Sequence, residues 1–499
     1  MAPAILWFRR NLRLHDNTAL IAAAASGSPV IPVYVLDNLD IGGASRWWLQ
    51  HSLMSLDKDL REIGSSLLLL SGPPETVLSK LIEESGADSL FYSRRYEPEA
   101  RRQEESLATA CPSNVHIESF EDSYLGRHDD LLSKKQTPFR VFTPYWKTAI
   151  ARGEPPQPRP VPGSIRFAEH DIRSLSFADL RLLPVAPNWA AGFEDVWMPG
   201  EEGAMARLDD IDAVIRHYAE HRDRPDLDTT SRLSPHLHFG EISARQAWHA
   251  IRKAAIHLHS SSGAEALTRQ LYWRDFSAYL LLHFPTLADS PLRGEFEHFP
   301  WSQDDQYLRA WQRGMTGYPI VDAGMRQLWA TGWMHNRVRM IAASFLVKHL
   351  LVPWQQGAAW FLDTLVDADL ANNSASWQWV AGCGTDAAPY FRIFNPILQG
   401  KKFDPDGEYV RRWIPELAAM PDKVLHEPWR ASRAEQASCG VAIGDDYPAP
   451  IVDHMTARKE ALAAYQVTRS AAAADPVLSN QRDARFEARA ISADVQQAK

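Results

Sequence analysis

A change of pattern near residue 200 constrains this chain most. Over roughly its first 125 residues, short apolar runs alternate with helical patterns. Ile5–Phe8, Val30–Leu36, Ser66–Leu70, Ser89–Ser93 and Val115–Phe120 read as strands rich in β-branched, Leu and aromatic residues. Between them Trp47–Ile63, Pro74–Ser85 and Glu97–Ala110 carry a helical period. Such alternation predicts a parallel, doubly wound sheet. The run Gly153-Glu-Pro-Pro-Gln-Pro-Arg-Pro-Val-Pro-Gly163 ends the pattern, because proline lacks a donor and fixes φ. Farther on, the patterns are helical almost throughout. The expected organisation is an α/β domain over 1–128, a connector over 129–202, an all-α domain over 203–465, and a tail over 466–499 that is a frayed helix or disordered.

Composition narrows the class. A chain of 499 residues is long enough to bury more than one core, and 45% hydrophobic with 23% charged residues is ordinary for a soluble globular protein. Cys111, Cys383 and Cys439 are an odd, widely spaced set without a metal-ligand pattern, so they read as reduced thiols of a cytoplasmic protein. No stretch approaches the roughly 20 apolar residues of a membrane span. The N-terminal apolar run meets Arg9-Arg10 too soon for a signal segment. A net charge of −9 excludes a generally basic coat, so nucleic-acid binding has to rest on particular residues. No G-x-G-x-x-G follows the first strand, and the usual dinucleotide fingerprint is missing.

The aromatic content is the outlier: the chain has 18 tryptophans. The segment Asp367-Ala-Asp369-Leu-Ala-Asn-Asn373-Ser-Ala-Ser-Trp377-Gln-Trp379 would place Asp369, Asn373 and Trp377 on one helical stripe. A structural helix would carry Leu, Ile or Val there. Polar groups beside indoles suit a flat, hydrogen-bonding aromatic ligand such as a flavin. In Thr229-Thr230-Ser231-Arg232-Leu233-Ser234-Pro235, hydroxyls and a guanidinium precede a helix start. That run serves either as an N-cap with a surface arginine or as a pyrophosphate clasp. Gln270, Trp273 and Arg274 project from one helical face, and Trp333-Met-His-Asn336-Arg337-Val-Arg339-Met340 repeats the mixture.

With these motifs the sequence resembles the DNA photolyases and cryptochromes. The likeness runs from Trp7-Phe-Arg-Arg-Asn-Leu-Arg-Leu-His-Asp16 to Pro450-Ile-Val-Asp453 and is densest in Thr316–Met325, Gly332–Arg337 and Gly384–Pro396. It implies an α/β antenna domain followed by an all-helical domain that binds FAD. By that resemblance, Tyr218 and Thr230, Ser231, Arg232, Leu233 and Ser234 contact the flavin phosphates and ribityl chain. Arg274, Trp333, Asn336, Arg339, Asp367 and Asp369 complete the cofactor set, and Asn373 faces the flavin N5. An asparagine there is the mark of the repair enzymes; plant-type cryptochromes tend to carry an acid and animal ones a cysteine.

The resemblance further implies that Trp273 and Trp379 sandwich an extruded pyrimidine dimer in ultraviolet-damaged DNA, with Gln270, Asn336, Arg337 and Met340 around the reacting lesion. Arg222, Arg337, Arg392, Gln399, Lys401 and Lys402 line a cationic mouth for flanking DNA. Trp377, Trp354 and Trp301 match the electron-transfer chain from flavin to surface, although spacing alone would make them core. Gln270 stands where dimer-splitting enzymes usually carry glutamate. The folate-contacting acid of one bacterial subgroup falls on Ala100, beside Glu99, and its Cys-Lys pair falls on Ala288-Asp289. A methenyltetrahydrofolate antenna would therefore be held differently. Asn336 and Met340 stand where enzymes repairing (6-4) photoproducts place further imidazoles, so cyclobutane dimers are the expected substrate. Phe403–Trp413 and Asp322–Thr331 look close to plant cryptochromes, which favours the bacterial photolyase subgroup nearest to them. The alternatives are a blue-light photoreceptor and a (6-4) photolyase. A photoreceptor tends to carry a long regulatory extension, whereas 34 residues follow Tyr465. The expected enzyme is a monomer with no obligate protein partner.

Overall fold

The computed structural model describes residues 1–37, 41–259, 261–302, 304–386 and 391–474. Two compact units divide the chain: residues 1–285, 327–335 and 359–373 form the first, and 286–326, 336–358 and 374–499 the second.

Among the described residues the first unit holds a parallel sheet in the order β3-β2-β1-β4-β5. Its strands are β1 (Ala4–Phe8), β2 (Val30–Leu36), β3 (Leu68–Ser71), β4 (Ser89–Ser93) and β5 (His116–Phe120). Helices α1 (Thr18–Ala25), α2 (Gly43–Glu62), α3 (Pro74–Ser85) and α4 (Pro98–Ala110) alternate with them. The topology is doubly wound, and the strand order reverses between β1 and β4. Every residue of β1 and β4 is buried, which accounts for the unbroken apolar run of β1 and the apolar centre of β4 between Ser89 and Ser93. The edge strand β5 exposes His116, Glu118 and Ser119 and half-buries Ile117 and Phe120, and polar groups of this kind discourage pairing with a further strand.

Helix α2 begins four residues before the predicted Trp47, where Asp363 Oδ1 accepts from the Gly43 N–H at 2.8 Å, and Gly42 just ahead of it passes very close to another backbone. A Cβ on Gly42 would lie 2.0 Å from the Leu362 carbonyl oxygen. The connector holds one helix that the sequence reading passed over, α5 (Phe142–Ile150). The first unit continues with α6 (Glu201–Asp209), α7 (Ile211–His221), α8 (Ser234–Phe239), α9 (Ala244–Leu258) and α10 (Ser261–His283). Helix α9 starts at a capping box formed by Ser243 and Gln246.

The remaining helices are α11 (Asp305–Gln312), α12 (Pro319–Thr331), α13 (Asn336–Lys348), α14 (Trp354–Thr364), α15 (Leu370–Ala381), α16 (Pro396–Phe403), α17 (Glu408–Trp413), α18 (Asp422–Leu425), α19 (Arg433–Cys439) and α20 (His454–Ala474). Helix α20 carries the chain nine residues past Tyr465 with Thr468 buried, so this stretch of the expected tail is packed helix. Residues 475–499 lie outside the described residues. No helix among the described residues is long and apolar enough to cross a membrane.

Candidate functional site

In the first unit, Tyr218 on α7, the run Thr230–Ser234 that leads into α8, and Arg274 on α10 account for seven of the residues expected at a cofactor. Tyr218 is buried on α7, one turn before Arg222, whose guanidinium lies 5.4 Å from the Tyr218 ring. Arg222 donates to Gln270 Oε1 at 3.3 Å, and Gln270 Nε2 donates to the Ala266 carbonyl at 2.9 Å. Both ends of the Gln270 amide are thereby engaged, which fixes its orientation. Trp273 stands one turn farther along α10, half-buried, with one face stacked on Phe142 at 3.6 Å and 7°. Arg274 donates to the Ser123 carbonyl at 2.6 Å and the Leu237 carbonyl at 2.8 Å. Arg274, expected at the cofactor, thereby links the segment after β5 to α8.

The hydroxyl run enters α8 through a constrained backbone. Arg232 has φ +50°, a left-handed conformation that costs a side-chain-bearing residue roughly 1–2 kcal/mol. An ion pair with Asp228 at 3.0 Å and the flanking rings of Trp197 and Trp333 hold it there. Trp333 and Leu233 are buried, Thr230 and Ser231 are half-buried, and Ser234 is exposed. The Ser234 hydroxyl donates to Asp367 Oδ2 at 2.6 Å.

Asp369 does not share the stripe expected of it. It lies one residue ahead of α15 and caps it: Oδ1 accepts from the Asn372 backbone N–H at 2.8 Å and from Asn372 Nδ2 at 2.7 Å. Asn373, on the first turn, donates its backbone N–H to the Asp369 carbonyl at 2.8 Å. Oδ2 of Asp369 is 3.5 Å from both Arg10 Nη1 and His238 Nδ1. Burial opposes ionisation of Asp369, but His238, Arg10 and Arg274 outweigh it and hold the carboxyl well below the usual carboxylate range. This fixed anion borders a small cleft outside the carboxyl ends of β1 and β4, with Arg10, Arg95, Glu97 and Tyr124. Open α/β sheets bind ligands at that switch point. Here Glu97 fills it with ion pairs to Arg10 at 3.3 Å and Arg95 at 3.1 Å. On α4 Ala100 is fully buried, and exposed Glu99 is paired with Arg102 at 2.9 Å.

In the second unit, α15 presents two indoles differently. Trp377 is buried and Trp379 is half-exposed, its Nε1–H donating to the Asp386 carbonyl at 3.1 Å. The Trp377 ring lies against Gly357 of α14; a Cβ there would sit 2.2 Å from the indole. Trp354 is three residues earlier on α14, on the same helical face and fully buried. Just before α14, the Leu351 carbonyl accepts from the Ser302 N–H at 2.7 Å, which ties down half-buried Trp301 next door. Trp377 on α15 and Trp354 on α14 are buried, and Trp301, in the segment tied just before α14, is half-buried. Asn336 is exposed at the start of α13 and Arg339 and Met340 are half-buried on it.

The cations in this unit are not equivalent. Arg337 lies 4.4 Å and Lys402 5.1 Å from the ring of Phe403, so the structure brings these two together. Arg392 is exposed over Phe394 at 4.8 Å. Lys401 is paired with Glu427 at 2.6 Å, and Gln399 is half-buried on α16. Part of the Gly384–Pro396 motif, residues 387–390, lies outside the described residues. Four residues that sequence reasoning missed are Phe142, Trp146, Arg269 and Gly357; only the cluster of basic residues around the first two was visible in the chain.

The donor set fits a flavin nucleotide. Hydroxyl-bearing Ser234 bound to a carboxylate offers partners for ribityl or ribose hydroxyls, and an amide such as Asn373 can meet a ring nitrogen in either protonation state. Comparison with known proteins agrees. Residues 4–162 match the model of the DNA photolyase family, and residues 267–467 match that of the FAD-binding domain of DNA photolyase. A deoxyribodipyrimidine photo-lyase of Agrobacterium fabrum is 48% identical, the match covering 94% of this chain and 98% of that protein. The crystal structure of a bacterial class III photolyase from Agrobacterium tumefaciens superposes with a TM-score of 0.91 at 47% identity, covering 94% of this chain and 98% of that one. Cryptochrome-2 of Arabidopsis thaliana is 37% identical over 94% of this chain and 79% of its own length.

Proposed function

Because the chain belongs to the DNA photolyase and cryptochrome family, we propose that it is a deoxyribodipyrimidine photolyase, a light-driven lyase that splits cyclobutane pyrimidine dimers in ultraviolet-damaged DNA. When bound, FAD supplies a photoexcited electron that opens the cyclobutane ring and is then returned, with no net redox change. Tyr218, Thr230, Ser231 and the Ser234–Asp367 pair hold the phosphate and polyol portion, and Asn373 orients the ring system. Arg232, Leu233, Arg274, Trp333, Arg339 and Asp369 complete the cofactor site. Trp377, Trp354 and Trp301 conduct electrons inward to restore the reduced cofactor.

The observation that carries the reading is the contrast on α15. Trp377 is in the core, while Trp379 is kept half-exposed with its N–H anchored and ring surface left for a ligand. Trp273 is likewise half-exposed, with one face covered by Phe142. Each presents an apolar plane to a base extruded from the duplex, and a damaged pair is cheap to open. Gln270, Asn336, Arg337 and Met340 border the lesion, and Arg222, Arg392, Gln399, Lys401 and Lys402 meet flanking strand. Dimer repair needs only electron injection and return, so Gln270 suffices as a hydrogen-bonding partner for a thymine edge. A methenyltetrahydrofolate antenna, held by contacts other than Ala100 or Glu99, serves as the second chromophore. The protein works as a cytoplasmic monomer.

Trp273→Ala and Trp379→Ala should each weaken affinity for dimer-containing oligothymidine by about 1–3 kcal/mol, with FAD content near that of the parent. Fluorescence anisotropy against irradiated and intact oligonucleotides measures this directly. Parental affinity in both variants would remove the indoles from the lesion site. Equal binding of irradiated and intact DNA by the parent would favour a photoreceptor instead.

A further inference from the structure

The connector and α10 hold a second aromatic and cationic cluster. On α5, Phe142 and Trp146 are one turn apart, with rings parallel to within 6° at 6.2 Å. On α10, Arg269 and Trp273 are likewise one turn apart. Trp273 stacks on Phe142 at 7°, so the three rings are close to parallel. The Arg269 guanidinium lies over two of them, 5.3 Å from Phe142 and 4.8 Å from Trp146. Arg269 and Trp146 are both half-exposed. Among the described residues Arg269 contacts these rings and no acid, so its N–H fork is open to a ligand.

Charge adds an independent observation. Residues 131–152 contain Lys134, Lys135, Arg140, Lys147 and Arg152 and not one Asp or Glu, in a chain whose net charge is −9. Arg152 is neutralised by Asp130 at 2.9 Å, whereas Lys134, Lys135, Arg140 and Lys147 are exposed and unpaired with any described acid. A half-exposed indole plane, a flat guanidinium without a counter-ion and a local run of cations together match a nucleic-acid strand. Its bases stack on aromatic faces and its phosphates meet arginine forks.

We propose that Trp146 and Arg269 form a further DNA-strand contact beside Trp273, in which Arg269 takes a backbone phosphate and Trp146 stacks a base flanking the lesion. Phe142 is a positioning residue that spaces the two indoles. This rests on the repair reading for the identity of the strand, but it concerns affinity for any strand and not discrimination of the lesion.

The test is the affinity of the FAD-loaded, full-length protein for oligothymidine with and without a single dimer, measured by anisotropy across a salt series. Trp146→Ala should weaken both complexes equally, by roughly fivefold or more, with the salt dependence unchanged. Trp146→Phe should recover most of that loss. Arg269→Gln should weaken both and reduce the slope of log affinity against log salt by roughly 0.7–0.9, the signature of one lost phosphate contact. Parental affinity and slope in Arg269→Gln, or parental affinity in a folded Trp146→Ala, would overturn the proposal. If Trp146→Ala does not fold, the Arg269→Gln slope decides alone. Failure of the repair reading would look different: the parent would bind dimer-containing and intact strands alike.

Discussion

Under blue light with an external reductant, Trp377→Phe should slow bleaching of the oxidised flavin absorbance by at least about tenfold, since phenylalanine is not oxidised where an indole is. Trp377 is buried against Gly357, Trp354 lies on the same face of α14, and Trp301 is tied next to Leu351 by the Ser302 hydrogen bond. In the proposed chain charge passes from one of these indoles to the next, and Trp377 is the member that hands it to the flavin. Trp311 is also near Trp377, 6.1 Å away and edge-on, but its N–H is bound to the Ala342 carbonyl at 2.9 Å in the core. The substitution removes one ring of an indole and leaves a cavity of modest cost. When the flavin is reduced chemically beforehand, repair should proceed as in the parent. Stopped illumination followed by absorbance spectra checks both halves; undiminished photoreduction would exclude Trp377 from the path.

Asp322→Ala should lower the stability of the second unit by about 3–5 kcal/mol, read as a shift in the urea midpoint. Asp322 is wholly buried. Its Oδ1 accepts from the Thr316 N–H at 2.8 Å and hydroxyl at 2.6 Å, and its Oδ2 from the Gly317 N–H at 2.9 Å and the Tyr447 hydroxyl at 2.6 Å. Burial pushes the carboxyl pKa up, and these four donors work against it. Alanine would strand two backbone N–H groups, each costing about 1–3 kcal/mol when left unpaired in the interior. Gly317 cannot relax to compensate, because it has φ +78° and a Cβ there would lie 2.5 Å from the Ala449 backbone. Asp322→Asn keeps one acceptor and should lose less. An unchanged midpoint in Asp322→Ala would mean that the segment around Thr316 is held by other contacts.

Particular residues show what was legible in the chain. The sheet could be read because β1 and β2 are buried on both faces and appear as apolar runs, and β4 shows the same in its Leu90-Phe91-Tyr92 centre. Boundaries moved where a distant partner decided, as at Gly43, whose N–H is taken by Asp363. Helix α5 carries an apolar stripe of Phe142, Tyr145, Trp146, Ala149 and Ile150, but it is short and holds Pro144, which is tolerated in a first helical turn and reads as a breaker in the chain. Asp369 was placed on a helix because spacing cannot distinguish a cap from the turn that follows it. The motif words marked Ser234, Asp367 and Asn373, and the structure joins the first two by a hydrogen bond. Spacing did not mark Gly357 or Arg269, whose roles come from partners far away in sequence. Lys401 and Lys402 are neighbours in the chain with different fates, one paired with Glu427 and the other over Phe403.

The central claim is the chemistry performed on the lesion. The most direct measurement presents the purified protein, its flavin reduced, with two defined oligonucleotides under blue light and in the dark. One carries a single cyclobutane thymine dimer and the other a single (6-4) product. The expected result is light-dependent restoration of the thymines from the cyclobutane dimer, no conversion in the dark, and an untouched (6-4) product. Efficient repair of the (6-4) product with the dimer left intact, or no light-dependent repair of either, would contradict it.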